Sequence, residues 1–431
     1  MPDMADRTLT RVPRDVLWDE DVYARELRTV FRKSWLFVGH DSEIPSPGDY
    51  VTRRMGQESV IVARDEAGRI RIFQNSCPHR GNQLCRAGTG NSAHYRCGYH
   101  GWTFTNSGVL RGVPRQKELM PPEFSRDDYA LTEPPHVAVY QGLIFGNWDP
   151  GALPLEEDFG DLRFYLDAIL GGTDDGYEVY GSPSRRILRS NWKIGAENFA
   201  GDSYHLATTH ESAIQQGLFG PSEEFLKFNT ISHHINVGNG HVARLEQFPF
   251  RPDPPMFLGY PEQTGAEFMR NLSPEQIDMK SGTFIIHGNI FPNLSYMDTV
   301  VQVDGAPYSY VWFGLWQPRG PHEIEYSNWH LFPKSAPKEW KERAHFAVVN
   351  TVGHGGSISA DDTEIVESMV AANRGEVARG QDFVYELGSH YPQDKGSRYP
   401  GERVYPGVSE ANQRYFYEHW RKIVYEGEEA A

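Results

Sequence analysis

The amino-acid sequence predicts an α+β protein of two domains, with a small all-β domain inserted into a larger one built of helices and strands. Three observations lead there. At 431 residues the chain is longer than one hydrophobic core ordinarily serves. From Gly39 onward it runs in short apolar stretches broken by turn residues, the signature of hairpins. Beyond Val179 strand-like runs alternate with helical ones, the pattern of an α+β layer. The expected limits are residues 1–38 and 155–431 for the larger domain and 39–154 for the smaller.

Taken in order, residues 19–35 open on a capping Asp and space Tyr23, Leu27, Val30 and Phe31 along one helix face. Residues 59–64 and 69–73 flank an Asp-Glu-Ala-Gly turn, and 137–140 and 143–148 flank Gln141-Gly142, so each pair predicts a hairpin. The turn-rich stretch 149–155 precedes a helical pattern over 159–169 and marks the boundary. Farther on, 284–286, 308–316 and 324–332 read as strands, while 191–209, 337–349 and 361–374 read as helices. The short acidic tail 426–431 is expected to fray.

Composition excludes several classes of function. Hydrophobic residues at 39% and aromatics at 13% describe a globular, pocket-forming chain. Acidic residues outnumber basic ones by 58 to 42, a formal charge of -16 that argues against nucleic acid or an anionic membrane as partner. The opening residues lack the apolar core of a signal peptide, and the strongest apolar run is too short to span a bilayer, so a soluble cytoplasmic protein is expected. Only Cys77, Cys85 and Cys97 are present, which suits metal ligation better than a disulfide framework.

Cys77-Pro-His79 and Cys97-Gly-Tyr-His100 each follow a strand-like run, so two hairpin tips can face one metal centre. Four such ligands suit zinc or an iron-sulfur cluster. The spacing argues somewhat against a zinc finger, whose pairs come as Cys-Cys and His-His. Two mixed pairs let both Cys hold one iron and both His the other. Neutral imidazoles in place of thiolates raise the potential, which makes an electron relay with every metal position filled.

A second constellation lies at Asp202, His205 and His210. Asp202 and His205 are three apart, so on a helix the carboxylate would accept the imidazole N–H and fix its tautomer. His205 and His210 are five apart, roughly 140° around a regular helix, and cannot both point inward. A π-bulge or local break between them is therefore expected. Two His and one carboxylate form the facial triad that leaves open positions on iron for dioxygen and substrate.

The strings C-P-H-R-G at 77–81 and C-G-Y-H-G-W at 97–102 resemble the Rieske signature of ring-hydroxylating oxygenases, and the Asp202 to His210 string resembles that family's iron-binding motif. The resemblance covers nearly the whole chain. It implies a [2Fe-2S] cluster on Cys77, His79, Cys97 and His100, packed Cys85 and surface His94 being no part of it. It implies Fe(II) on His205, His210 and a late carboxylate, for which Asp362 is chosen and Asp361 held in reserve, in a helix-grip catalytic domain on an antiparallel sheet. It further implies a head-to-tail trimer in which Asp202 links His100 of one chain to His205 of the next, and in some relatives a β-subunit. By position in the family pattern Asn198, Phe199, Ser203, Leu206, His287, Asn289, Leu294, Val352 and Ile358 line the substrate cavity, His287 and Asn289 supplying polar groups that could orient a carboxylate or hydroxyl.

The reading that results is a terminal oxygenase that takes electrons singly from NAD(P)H through a ferredoxin or reductase and uses dioxygen to cis-dihydroxylate an aromatic ring. One alternative keeps the two centres in a monooxygenase or demethylase acting on an aromatic acid or amine. Another, of a different class, is a non-catalytic Rieske electron carrier or a zinc-stabilised binding protein.

Overall fold

The computed structural model describes residues 9–218 and 231–426; the acidic tail beyond Glu426 and the first eight residues lie outside them. The chain divides into two compact units, residues 31–152 and, together, 1–30 and 153–431. The first helix, α1 (Glu20–Lys33), starts and ends within the expected span.

The small unit is built of antiparallel strands. Strands β1 (Leu36–His40), β2 (Asp49–Met55), β3 (Glu58–Arg64), β4 (Ile70–Gln74) and β5 (Thr89–Asn91) precede β6 (His94–Arg96), β7 (Thr103–Thr105), β8 (Leu110–Gly112), β9 (His136–Tyr140) and β10 (Leu143–Asn147). They form sheets in the orders β4-β3-β2-β5, β6-β7-β8 and β9-β10-β1. The unit begins before Gly39 because β1 pairs with β10, which draws residues 36–40 into its sheet. Gln141 and Gly142 both take positive φ, 48° and 84°, the turn that matches the twist of the β9–β10 hairpin. Phe73, Phe104 and Ile61 are wholly buried in a core that also holds Cys77, Cys85, Cys97 and Trp102.

The large unit carries a nine-stranded antiparallel sheet. Its strands are β11 (Tyr177–Val179), β12 (Ser184–Leu188), β13 (Ser232–Gly238), β14 (His241–Gln247), β15 (Thr283–Ile290), β16 (Leu294–Val303), β17 (Ala306–Gly320), β18 (Glu323–Pro333) and β19 (Arg403–Pro406). The order is β11-β18-β17-β16-β15-β14-β13-β19, with β12 also paired to β18. Helix α2 (Trp192–Gly201) packs against β14 to β17 and carries Asn198 and Phe199. Its first turn is fixed by a buried network. Lys193 Nζ pairs with Glu26 Oε1 of α1 at 2.6 Å, and the indoles of Trp192 and Trp420 donate to the same carboxylate at 2.9 and 2.8 Å. Breaking such a pair strands a buried charge, which costs about 3–5 kcal/mol.

The helix expected over 191–209 ends earlier, at Gly201. Two short helices follow, α3 (Leu206–Thr209) and α4 (Glu211–Gln215). After β18 come α5 (Lys338–Thr351) and α6 (Ser357–Ala372), and after β19 comes α7 (Ala411–Arg421). Among the described residues no helix is long and apolar enough to cross a membrane.

Candidate functional site

In the small unit the two ligand loops fold alike. The carbonyl of Cys77 accepts from Gly81 N–H at 2.8 Å, and that of Cys97 from Gly101 N–H at 3.0 Å. Gly81 and Gly101 take φ of 72° and 74°, a region that L side chains avoid, so each turn needs its glycine. Each loop buries its Cys and turns its His outward: Cys77 and Cys97 are buried, His79 half-buried and His100 exposed.

The four side chains meet as two like pairs. The thiols share one buried cluster, and the imidazole centroids are 4.6 Å apart, with His79 stacked on Trp102 at 4.8 Å. Burial opposes ionisation of Cys97, but the N–H groups of Tyr99 and His100 outweigh it and hold its pKa below the ordinary thiol value. The Asn82 amide also donates to Cys97 Sγ at 3.6 Å. N–H donors aimed at sulfur stabilise thiolate, the form that binds metal. Burial, then the charges of His100 and Arg80, lowers the pKa of His79, so its ring is neutral and able to ligate. This donor set fits a cluster with a thiolate-held iron inside and an imidazole-held iron at the surface.

Cys85 is different. Its backbone N–H and carbonyl are both held by the Asn75 amide, and burial pushes its thiol up to about 12. It packs in the core. His94 is exposed on β6.

In the large unit, His205, His210 and Asp362 bring one ligand atom each within 4.8 Å of one another. The two Nε2 atoms are 3.3 Å apart, and Asp362 Oδ1 lies 3.7 Å from that of His205 and 3.2 Å from that of His210. Asp361 sits elsewhere, with Oδ2 at 3.4 Å from His210 Nδ1. Asp202 Oδ2 stands likewise 3.4 Å from His205 Nδ1. Each imidazole therefore faces inward with one nitrogen and has a carboxylate against the other, the arrangement that orients a metal-binding histidine. Burial opposes charge on His205, but Asp202 and Asp362 outweigh it and raise its pKa. Two imidazoles and a carboxylate at this spacing fit one divalent iron with positions left open.

A break in the helix makes the convergence possible. Gly201 ends α2 at φ 147°, where a Cβ would meet Arg244 Cδ and His234 Nδ1 at 3.0 Å. Asn412 of α7 caps the opened carbonyl of Ala200 at 2.6 Å. Asp202 thus reaches His205 across a turn and not along one helix face. A second interruption at His210, φ -102° and ψ 26°, separates α3 from α4.

Over this triad opens a cavity with about 630 Å³ of free space, part of it continuous with solvent. Asn198, Phe199, Ser203, Leu206, His287, Val352 and Ile358 line it, as do Ile285, Met297, Thr299, Tyr310 and Arg244, which sequence reasoning missed. Asn289 and Leu294 do not. Asn289 is fully buried, its amide donating to the Pro292 carbonyl and accepting from Ser295 Oγ. Leu294 pairs with Ile290, one residue out of phase with the His287–Met297 and Ile285–Thr299 pairs, so it faces the other side of the sheet. His287 does not offer a free polar group either. Burial, then Arg244, drives its pKa well down, and the neutral ring accepts from Arg244 Nη1 at 2.9 Å. Arg244 itself is buried, paired with Glu246 and bonded to Ser232.

Known proteins share this architecture. Residues 34–133 match the model of the Rieske [2Fe-2S] domain, and residues 166–426 match that of the ring hydroxylating alpha subunit, catalytic domain. The chain is 31% identical to the alpha subunit of N,N-dimethyl phenylurea N-demethylase from Sphingobium sp. (strain YBL2), over 95% of this chain and 91% of that one. It is 30% identical to the alpha subunit of biphenyl 2,3-dioxygenase from Rhodococcus jostii (strain RHA1), over 98% and 90%. The crystal structure of naphthalene 1,2-dioxygenase from Rhodococcus sp., bound to indole, superposes with a TM-score of 0.91 at 39% identity, over 96% of this chain and 94% of that one. With both domains matched and relatives spanning its length, the chain belongs to the ring-hydroxylating oxygenase alpha subunits, enzymes that combine a Rieske [2Fe-2S] domain with a non-haem iron domain.

Proposed function

We propose that this chain is a terminal oxygenase that cis-dihydroxylates an uncharged aromatic ring, with Cys77, His79, Cys97 and His100 holding the cluster and His205, His210 and Asp362 holding Fe(II). When bound, the cluster supplies single electrons and the iron reduces dioxygen. The observation that carries the substrate class is the state of the polar groups around the cavity. Besides His287 and Arg244, Thr299 donates to the Phe284 carbonyl at 3.2 Å and Tyr310 meets Thr351 Oγ1 at 3.4 Å. A substrate carboxylate would find these bonded groups engaged, with Ser203 Oγ and Arg244 Nε the buried atoms of the lining left without a partner, and one hydroxyl and one N–H do not offset the several kcal/mol that burying its charge costs. Phe199, Leu206, Met297, Val352 and Ile358 instead offer an apolar surface that orients a ring by shape.

The chain's own residues would do three things. The Asp202 and Asp361 carboxylates would fix the tautomers of His205 and His210. Phe199, packed at 4.6 Å on Trp312, would hold one side of the cavity rigid. The exposed His100 and the partly exposed Asp202 are open to a neighbouring copy, consistent with a homotrimer in which one meets the other. Electrons would come from NAD(P)H through a separate ferredoxin or reductase, with or without a β-subunit.

The test is turnover of the iron-replete protein with a surrogate reductase on neutral aromatics and aromatic carboxylates, under ¹⁸O-labelled dioxygen. Two labelled atoms in a neutral cis-diol are expected. A second reading, favoured by the N-demethylase relative, is oxidative N-dealkylation of a neutral aryl amide or urea; one labelled atom and a released aldehyde would establish it and refute dihydroxylation.

A further inference from the structure

We infer that Arg186 is a positioning residue for the mononuclear iron site, fixing the turn of helix that presents Asp362. The inference rests on Asp362 being an iron ligand. Arg186 lies on β12, directly opposite Tyr326 of β18 in the sheet register, and its guanidinium sits 5.2 Å above that ring. One end, Nη1, donates to the His354 carbonyl at 3.0 Å. The other, Nη2, reaches Ser359, at 2.9 Å to Oγ and 3.3 Å to the carbonyl. The planar fork thus spans the glycine-rich turn before α6 and the first turn of that helix.

Ser359 and Asp362 are three residues apart on α6, one above the other on a single face, so a hold on Ser359 is a hold on Asp362. Arg186 and Asp362 also line one small void behind Phe199. The turn has little slack to absorb a loss. A Cβ at Gly353 would meet the Val349 carbonyl at 2.4 Å, and one at Gly356 the Thr351 carbonyl at 2.3 Å. His354 is tied again through Nε2 to Ser184 Oγ at 3.2 Å, two residues before Arg186 on the same strand. Strand β12 thereby sets where α6 begins, and Arg186 is the side chain that bridges both sides of the junction. Lys has a single ammonium and no flat face to lay on Tyr326, so it would reproduce only part of this.

The experiment measures metal binding, not turnover. Protein stripped of its mononuclear metal by mild chelation, with the cluster intact by visible absorption, is titrated with Co(II). Arg186→Met is expected to weaken Co(II) binding roughly ten- to a hundredfold, the effect typical of groups that orient metal ligands, and Arg186→Lys to fall between it and the parent. Binding by Arg186→Met within twofold of the parent, while Asp362→Ala abolishes it, would reject the positioning role alone. Unchanged binding by Asp362→Ala would reject the ligand assignment beneath it. Should Arg186→Met not fold, Ser359→Ala, which removes one acceptor, serves instead: several-fold weaker binding supports the role and parental affinity overturns it.

Discussion

Replacing Glu197 with Gln should leave the protein nearly unchanged at pH 4.5 and stabilise it at pH 8. Glu197 lies on α2 beside the residues that floor the cavity, and burial, against a 2.6 Å hydrogen bond from Tyr385, pushes its carboxyl up from 4.5 to about 7. Between those values the native state keeps a proton that the unfolded chain has lost, so stability is full below pH 4.5 and falls as pH rises through about 7. At about 1.4 kcal/mol per pH unit, the gap amounts to roughly 3 kcal/mol at most. Part of that returns, because an ionised Glu197 favours the charge on nearby Lys193, so a gain of about 1–3 kcal/mol at pH 8 is the expectation. Gln keeps an oxygen for Tyr385 and nearly the same volume, which makes the comparison one of charge. Urea denaturation followed by tryptophan fluorescence, to which Trp192 and Trp420 respond, gives the difference between variant and parent across the pH range. A difference that stays flat, or one that shrinks as pH rises, would refute the reasoning.

Three more outcomes can be checked directly. Asp362→Asn should empty the mononuclear site in a metal assay, whereas Asp361→Asn should only weaken binding by about ten- to a hundredfold, because the first meets both Nε2 atoms and the second only His210 Nδ1. Cys85→Ala should keep the visible spectrum of the cluster and lower stability by about 1 kcal/mol, its thiol being buried and protonated. Gly201→Ala should cost about 1–3 kcal/mol in denaturation and lower metal content while the cluster spectrum stays unchanged, since a Cβ there meets Arg244 and His234.

The parts of this site that were legible in sequence are those whose signal is local. Cys77, His79, Cys97 and His100 sit within two short turns; for His205 and His210 the spacing points to a break between them, whereas the residues between form the short helix α3 and the interruptions fall after Gly201 and at His210. Asp202 was found for its spacing, yet the geometry differs: Gly201 breaks α2 because Arg244, His234 and Asn412 crowd it, and all three are remote in sequence. In sequence Asp361 and Asp362 are exclusive choices, because neighbours on a helix point apart; the structure uses the divergence, one carboxylate inward and one behind His210. Leu294 went astray for want of the β15–β16 register, since one residue of phase moves a side chain across the sheet. Arg244 left a readable trace, a charged pair two apart with Glu246 inside the strand 241–247 among apolar neighbours, which marks a polar group turned into a core.

The clasp of Asn412 on the carbonyl of Ala200 spans 212 residues of chain. A growing polypeptide exposes His205 and His210 long before it makes Asp362, and longer still before α7 arrives to hold the bent end of α2. Until then the hydrogen bond that caps the opened carbonyl of Ala200 is missing. If His205, His210 and Asp362 hold iron as proposed above, a chain cut before α7 would carry all three ligands without the clasp on the bent end of α2, and is expected to bind Co(II) more weakly than the full chain.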